Sequence, residues 1–168
     1  QGMRVTGDKE LKAVQAESGL ARSRVEAALA KGLSSSHPHG RAGVGVDVVS
    51  GNGFYTARPV GVVNGVDMGA TGTVRNVEVT KIHRHLDNGE IVLLTALGYS
   101  TTGETFNVQT EEVAAMSAKA LGASKLVFVS PPDFVFLSSE VDGSYRRVAS
   151  LPLDAARRPT PPRDPVVL

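Results

Sequence analysis

The chain has no cysteine, which excludes a disulfide scaffold, a thiol nucleophile and a cysteine-ligated zinc site. Neither sign of charge dominates. Eighteen Lys and Arg against seventeen Asp and Glu leave a net +1, so no global basic field points to nucleic acid or to an anionic membrane. No apolar run approaches the roughly 20 residues that a bilayer span requires. A signal or transit peptide is not recognisable at the start, because an acidic, alanine-rich amphipathic segment begins almost at once. A leading strand, on which doubly wound domains usually open, is missing too, and the front of the domain is expected to lie upstream of Gln1. At 168 residues the chain is one domain or part of one, long enough to bury a core.

What is present reads as an alternation of helices and strands. Asp8 is a good helix N-cap, and Leu11, Val14, Ala21, Val25 and Ala28 recur at helical spacing, with Gly32 as the stop. Residues 34–43 form a polar loop, residues 44–49 a strand, residues 50–53 a turn and residues 54–63 a hairpin or extended arm. Asn64-Gly-Val-Asp-Met-Gly-Ala-Thr-Gly72 is too rich in glycine for either regular element. Thr80 caps a short helix that turns Ile82 and Leu86 inward and closes at Asn88-Gly89, before the strand Ile91-Val-Leu-Leu94.

The most informative stretch follows that strand. Residues 98–107 read as a glycine-rich turn and an asparagine-bearing loop. Thr110 caps a helix with Glu111 and Glu112 in its first turn, and Val113, Met116, Ala120 and Leu121 form its buried stripe up to Gly122. Lys125-Leu-Val-Phe-Val129 is continuously apolar after its lysine, the pattern of a central parallel strand. Such a strand–loop–helix–strand unit implies an α/β class with a mostly parallel sheet, and ligands in that class bind where loops leave the carboxyl ends of strands. Asn107, Gln109 and Glu111 would gather at that edge. Further on, Asp142-Gly143 between residues 134–137 and 145–148 signals a hairpin. Residues 151–158 suit the start of a helix. The tail from Pro159 carries four prolines in seven residues and reads as disordered.

Several motifs have plain alternatives. His37-Pro-His39 lies in a loop with no third ligand beside it, and His83-Arg-His85 stands at i, i+2 on a helix, which points the rings to different faces. No metal site is expected, since zinc needs three or four converging ligands. Gly51-Asn-Gly53 and Gly69-Ala-Thr-Gly72 could cradle phosphate through backbone N–H groups, but they match neither the P-loop nor the dinucleotide fingerprint, and simple turns are the favoured reading. Asn107 and Glu111 read equally as a self-bonded turn with a surface carboxylate, or as a pair facing a ligand. Arg4 alone is a surface arginine, and Lys125 a lysine that snorkels from a strand end.

Residues 2–6, Val62-Val-Asn-Gly-Val-Asp67, Gly69-Ala-Thr-Gly72, Leu86-Asp-Asn-Gly89, Gly98-Tyr-Ser-Thr-Thr-Gly-Glu104 and Phe106-Asn-Val-Gln-Thr-Glu-Glu-Val-Ala114 together resemble the amino-acid kinase family. Within it they are most similar to the kinase-like domain of the N-acetylglutamate synthases, which serve arginine biosynthesis. The resemblance runs through residues 1–155 as a partial kinase-like domain and fails in the tail, residues 156–168. It implies a three-layer αβα sandwich. It also implies that Arg4 falls on the arginine that holds a substrate carboxylate in the related kinases, and Asn107 on their substrate-binding asparagine. Glu111 falls where the kinases carry an aspartate that organises catalytic lysines. That change displaces a carboxylate by one methylene and weighs against phosphoryl transfer, because such geometry must hold to within about an ångström.

The resemblance therefore implies a vestigial substrate cleft at Arg4, Asn107 and Glu111, and Lys125 as a candidate residue for binding L-arginine, the feedback inhibitor. The nucleotide-gripping lysine and paired-glycine loop would lie upstream of Gln1. The domain that takes acetyl-CoA and L-glutamate would lie downstream of Leu168. No catalytic residue and no cofactor are then expected in this chain, which alone should catalyse nothing, and a homo-oligomer is expected. The competing readings are a working N-acetylglutamate kinase and a structural fragment without a ligand. The loop at residues 37–40 and the Gly69-Ala-Thr-Gly72 phrase are similar to plant and algal members, which implies the chloroplast stroma; a bacterial origin would imply the cytoplasm.

Overall fold

The computed structural model describes residues 3–35, 47–129, 136–138 and 145–147, which fall into two compact units, residues 1–126 and 127–168. In the second, β9 (Phe136–Ser138) and β10 (Tyr145–Arg147) pair antiparallel, in agreement with the hairpin signal between them. The proposed helix after Leu151 and the proline-rich tail lie outside the described residues, as does the polar loop from residue 36 on.

The first unit opens with helix α1 (Asp8–Ser35). Strand β1 (Val48–Ser50) pairs in parallel with β6 (Ile91–Leu93), Val48 opposite Ile91. A parallel pair needs a long crossover, and here the crossover is itself structured. It holds β2 (Tyr55–Pro59), β3 (Val62–Val63), β4 (Val66–Asp67), β5 (Thr71–Val77) and helix α2 (Val79–Asp87). Beyond β6 come β7 (Leu97–Tyr99), β8 (Thr105–Val108) and helix α3 (Thr110–Ala120). Helices α1, α2 and α3 pack against β1, β6 and β5 respectively, so the α/β class read from the sequence holds, with a mixture of parallel and antiparallel pairings.

Strands β2, β5, β8 and β7 close into a ring. β2 and β5 are antiparallel, as are β7 and β8, while β5 runs parallel to β8 and β2 parallel to β7. Four strands enclose very little space, and small residues make closure possible. Ala57 is fully buried, and a Cβ on Gly98 would fall 2.4 Å from the Ala57 Cβ and 3.0 Å from Val108 Cγ2. Around this point Phe54, Tyr55, Val74, Val77, Ile82, Phe106, Val108 and Val113 form one core cluster. A bulge at Arg75 leaves Val74 opposite Ala57 and Asn76 opposite Thr56, which adds twist where the ring bends.

Several expectations are corrected. Residues 64–72 are regular in part: Asn64 (φ 51°) and Gly65 (φ 81°) form the turn of the β3–β4 hairpin, whose second strand is Val66–Asp67, with positive φ at both central positions as type I′ demands, while residues 68–70 belong to no strand. Thr71 and Gly72 already belong to β5. Residues 98–107 are a β-hairpin, so Asn107 sits on β8 and not in a loop. Helix α1 runs through Gly32, and of its predicted face Leu11 and Val14 are half-buried while Ala21, Val25 and Ala28 are exposed. Glu78 and Gln109, not Thr80 and Thr110, stand at the helix N-caps. Ile82 is buried as expected, but Leu86 is exposed. On α3 the inward row is Val113, Ser117 and half-buried Leu121, spaced i, i+4, i+8; Met116 and Ala120 precede members of that row by one residue, about 100° round the helix, and are exposed.

The largest correction concerns residues 125–129. They belong to no strand, and Val127 and Val129 are 75% and 96% exposed. Apolar content alone does not make a strand: without a ladder partner the backbone polar groups turn to water and take the side chains with them.

Candidate functional site

The segment before α1 is held to the ring by a buried polar clip. Thr6 forms a parallel bridge with Gly69; its N–H donates to Met68 O (3.3 Å), and the Ala70 N–H donates to Thr6 O (2.8 Å). Gly69 has φ +56°, and a Cβ there would lie 2.5 Å from Thr6 O, so the close approach and the left-handed backbone both require glycine. Side chains complete the clip. The Thr6 N–H also reaches Thr71 Oγ1 (3.0 Å), the Thr71 hydroxyl donates to the Arg4 carbonyl (2.8 Å), and Asn107 Nδ2 donates to Thr6 Oγ1 (3.1 Å). Thr6 and Thr71 are 1% and 5% exposed.

The structure thus brings two of the predicted residues to one place. Asn107 and the main chain of Arg4 meet through Thr6 and Thr71, while the Arg4 side chain is exposed. Glu111 lies on the same β8–α3 connection, exposed in the first turn of α3. Lys125 lies beyond the end of α3, also exposed. No hydrogen bond or ion pair joins the side chain of Arg4, Glu111 or Lys125 to the described residues.

The acidic residue that does bind is the neighbour of Glu111. Glu112 accepts from the Val74 N–H (2.9 Å) and from the Thr73 hydroxyl, tying the start of α3 to the middle of β5. Two consecutive glutamates in a first turn look alike in sequence. Only the inward rotation of Val113 next door distinguishes them.

A second feature lies at the carboxyl ends of the parallel strands, where this class of sheet binds ligands. β1 runs out into Gly51 and Asn52, and β6 into Leu94 and Thr95. Between them and Gln15, Ser18 and Arg22 of α1 lies an open cleft of about 290 Å³, which Tyr99 also lines. An adjoining hollow of about 340 Å³ is lined by Ala21, Val25, Leu94 and Thr110 among others. Both sit at the small end of ligand cavities. Arg22 pairs with Glu26 (3.7 Å), which in turn accepts from the Ser50 hydroxyl. The Tyr55 hydroxyl donates to Thr95 O (2.8 Å). Burial, with Tyr99 and Glu112 as lesser contributors, pushes the Tyr55 phenol far above its ordinary pKa, so it serves as a fixed donor and not as a base. The favoured reading of Gly51-Asn-Gly53 as a simple turn leaves the cleft unseen, although Gly51 and Asn52 line it; the place of this glycine pair directly after a strand is the available signal.

His85 engages the Glu90 carboxylate through Nδ1 and meets the Phe54 ring edge-on at 5.5 Å, a local packing arrangement. Among the described residues no group of three or more His, Asp and Glu is placed to hold a metal ion. His37 and His39 lie outside them. No described helix is long and apolar enough to cross a membrane.

Residues 3–157 match the amino acid kinase family, and the chain belongs to it. Within that family, similar curated proteins include amino-acid acetyltransferases. That of Ralstonia nicotianae (strain ATCC BAA-1114 / GMI1000) is 43% identical over 150 residues, covering 89% of this chain and 30% of the relative. That of Neisseria meningitidis serogroup B (strain ATCC BAA-335 / MC58) is 39% identical over 150 residues, covering 89% and 33%. Among solved structures, N-acetylglutamate synthase from Neisseria gonorrhoeae complexed with coenzyme A and L-arginine is 38% identical with a TM-score of 0.67, over 82% of this chain and 33% of that one. The chain spans about a third of the length of these relatives.

Proposed function

We propose that this chain is the kinase-like, arginine-binding regulatory part of an N-acetylglutamate synthase, an amino-acid N-acetyltransferase that moves the acetyl group of acetyl-CoA onto the amine of L-glutamate in arginine biosynthesis. The observation that carries this reading is the similarity, over 82% of the chain, to a synthase complexed with coenzyme A and L-arginine. In this reading acetyl-CoA and glutamate bind in a part of the protein outside the matched third, and the present chain contributes regulation and homo-oligomer contacts. Arg4, Asn107 and Glu111 form the vestigial substrate cleft. Lys125 lines the arginine pocket, where a cation suits the ligand carboxylate. The relatives named above are bacterial, which supports the cytoplasm over a chloroplast as the location.

An N-acetylglutamate kinase is the competing reading. It needs a carboxylate that organises catalytic lysines, and Glu111 is exposed with no lysine partner among the described residues. The test is an assay of the complete gene product. Acetylation of glutamate that L-arginine suppresses is the expected result; ATP-dependent phosphorylation of N-acetylglutamate without acetyl transfer would overturn the proposal.

A further inference from the structure

Thr71, buried at the start of β5, meets the N-terminal segment three times through one hydroxyl oxygen. It accepts from the Thr6 N–H at 3.0 Å, donates to the Arg4 carbonyl at 2.8 Å and lies 3.0 Å from Thr6 Oγ1. A threonine hydroxyl has one proton, and a carbonyl can only accept. The Thr71 proton faces two acceptors, the Arg4 carbonyl and Thr6 Oγ1, and Thr6 Oγ1 also accepts the Asn107 amide at 3.1 Å. Thr71 is therefore where the main chain of Arg4 is tied to β5, with Thr6 Oγ1 linking the same hydroxyl to Asn107. The Arg4 guanidinium is exposed and makes no hydrogen bond or ion pair with the described residues. A cation on a clamped backbone loses less freedom on capturing an anion than one on a loose segment.

We propose that Thr71 is a positioning residue. Its hydroxyl fixes the main chain at Arg4 so that the guanidinium is presented to a ligand carboxylate, and Asn107 acts through Thr6 in the same clip instead of offering that amide N–H to the ligand. The inference rests on the carboxylate role given to Arg4 in the cleft above. It differs from that reading in assigning the geometry to a residue that no ligand touches.

The experiment is titration calorimetry of the 168-residue chain with two probes, N-acetyl-L-glutamate and glutarate, on the unsubstituted chain and on Arg4→Ala, Thr71→Val, Thr71→Ser and the Arg4→Ala/Thr71→Val double variant. Arg4→Ala should abolish binding of both probes. Thr71→Val, which keeps the shape and loses the hydroxyl, should weaken both by about tenfold, the worth of one to two hydrogen bonds. Thr71→Ser should bind within about twofold of the unsubstituted chain, and the double variant no worse than Arg4→Ala. If Thr71→Val does not fold by circular dichroism, Thr6→Val carries the test, since it keeps the backbone bonds and the side-chain shape and removes the hydroxyl link; about threefold weakening is expected. Full affinity in the hydroxyl-less variant while Arg4→Ala abolishes binding would overturn the positioning role alone. Weakening of N-acetyl-L-glutamate but not of glutarate would overturn it too, because the acyl amide would then be what the clip reads. No binding by the unsubstituted chain, or binding indifferent to Arg4→Ala, removes the carboxylate role of Arg4 and this inference with it.

Discussion

Two regions of the first unit treat their strands in opposite ways. In the ring β2-β5-β8-β7 every strand has a partner on both sides, and closure leaves no edge to protect. Its interior positions, among them Ala57, Phe106 and Val108, are buried. The β1–β6 pair has three residues per strand and only half-buried side chains, and the apolar run that follows α3 is not a strand at all. A closed ring supplies its own partners locally. A parallel sheet needs neighbours brought from far along the chain, and its hydrophobic pattern has no effect until they are there.

The most severe way to break this contrast is to fill the ring. Gly98→Val would place branched carbons where even a Cβ lies 2.4 Å from Ala57 and 3.0 Å from Tyr55 Cε2. We expect a loss of about 3 kcal/mol or more, at the upper end of core overpacking, read as a lower urea midpoint. A loss below about 1 kcal/mol would mean that the ring is loosely packed and that closure is not what holds it.

Glu112→Ala tests how the ring holds α3. It removes an acceptor from the Val74 N–H and the Thr73 hydroxyl in partly buried surroundings, for an expected loss of about 1–3 kcal/mol. Glu111→Ala, at an exposed neighbour, should stay within about 0.5 kcal/mol. Equal losses at the two positions would show that helix-end charge, and not the link to β5, is what matters.

The same residues show what could and could not be read in advance. Asp142-Gly143 signals the pairing of β9 with β10, whereas Asn64-Gly65, whose positive φ turns the β3–β4 hairpin, is hidden in a run that reads as too rich in glycine for a regular element. Helix α3 is legible from its first-turn acids and its Gly122 stop. β5 was missed because glycine counts as a loop signal locally, whereas Gly72 is needed by Phe106, whose Cβ would stand 2.5 Å from an added Cβ. By sequence Asn107 reads as a loop residue because Gly103 punctuates the stretch, although that glycine only turns the β7–β8 hairpin. Of the candidate site, Arg4 and Asn107 came from a family pattern. Thr6 and Thr71, which join them, carry no signal beyond being two threonines 65 positions apart.

Lys125→Ala sharpens the comparison from the exposed side. In the complete protein we expect L-arginine inhibition to weaken by about tenfold, the worth of one charge-assisted contact, with Asn107→Ala changing it little. The measurement is the half-inhibiting arginine concentration in the acetyl-transfer assay. If Asn107→Ala abolishes inhibition while Lys125→Ala leaves it untouched, the two pockets have been assigned the wrong way round.

The smallest expected effect separates the regions most sharply. Phe128 is 57% exposed and Val129 96% exposed, so Phe128→Ser and Val129→Thr in the 168-residue chain should each change stability by no more than about 0.5 kcal/mol. Their backbone amides should exchange with solvent at nearly free rates, since exposed segments open at almost no cost. The apolar pattern taken alone argues the reverse. Were residues 125–129 a central parallel strand, removing the Phe128 ring would cost about 3–5 kcal/mol and the amides would be among the slowest to exchange. The two substitutions therefore decide between pattern and partner. Small losses with fast exchange leave the run as sequence waiting for a neighbour, whereas a loss above about 2 kcal/mol at Phe128 would show that solution supplies the missing ladder and restore the buried strand.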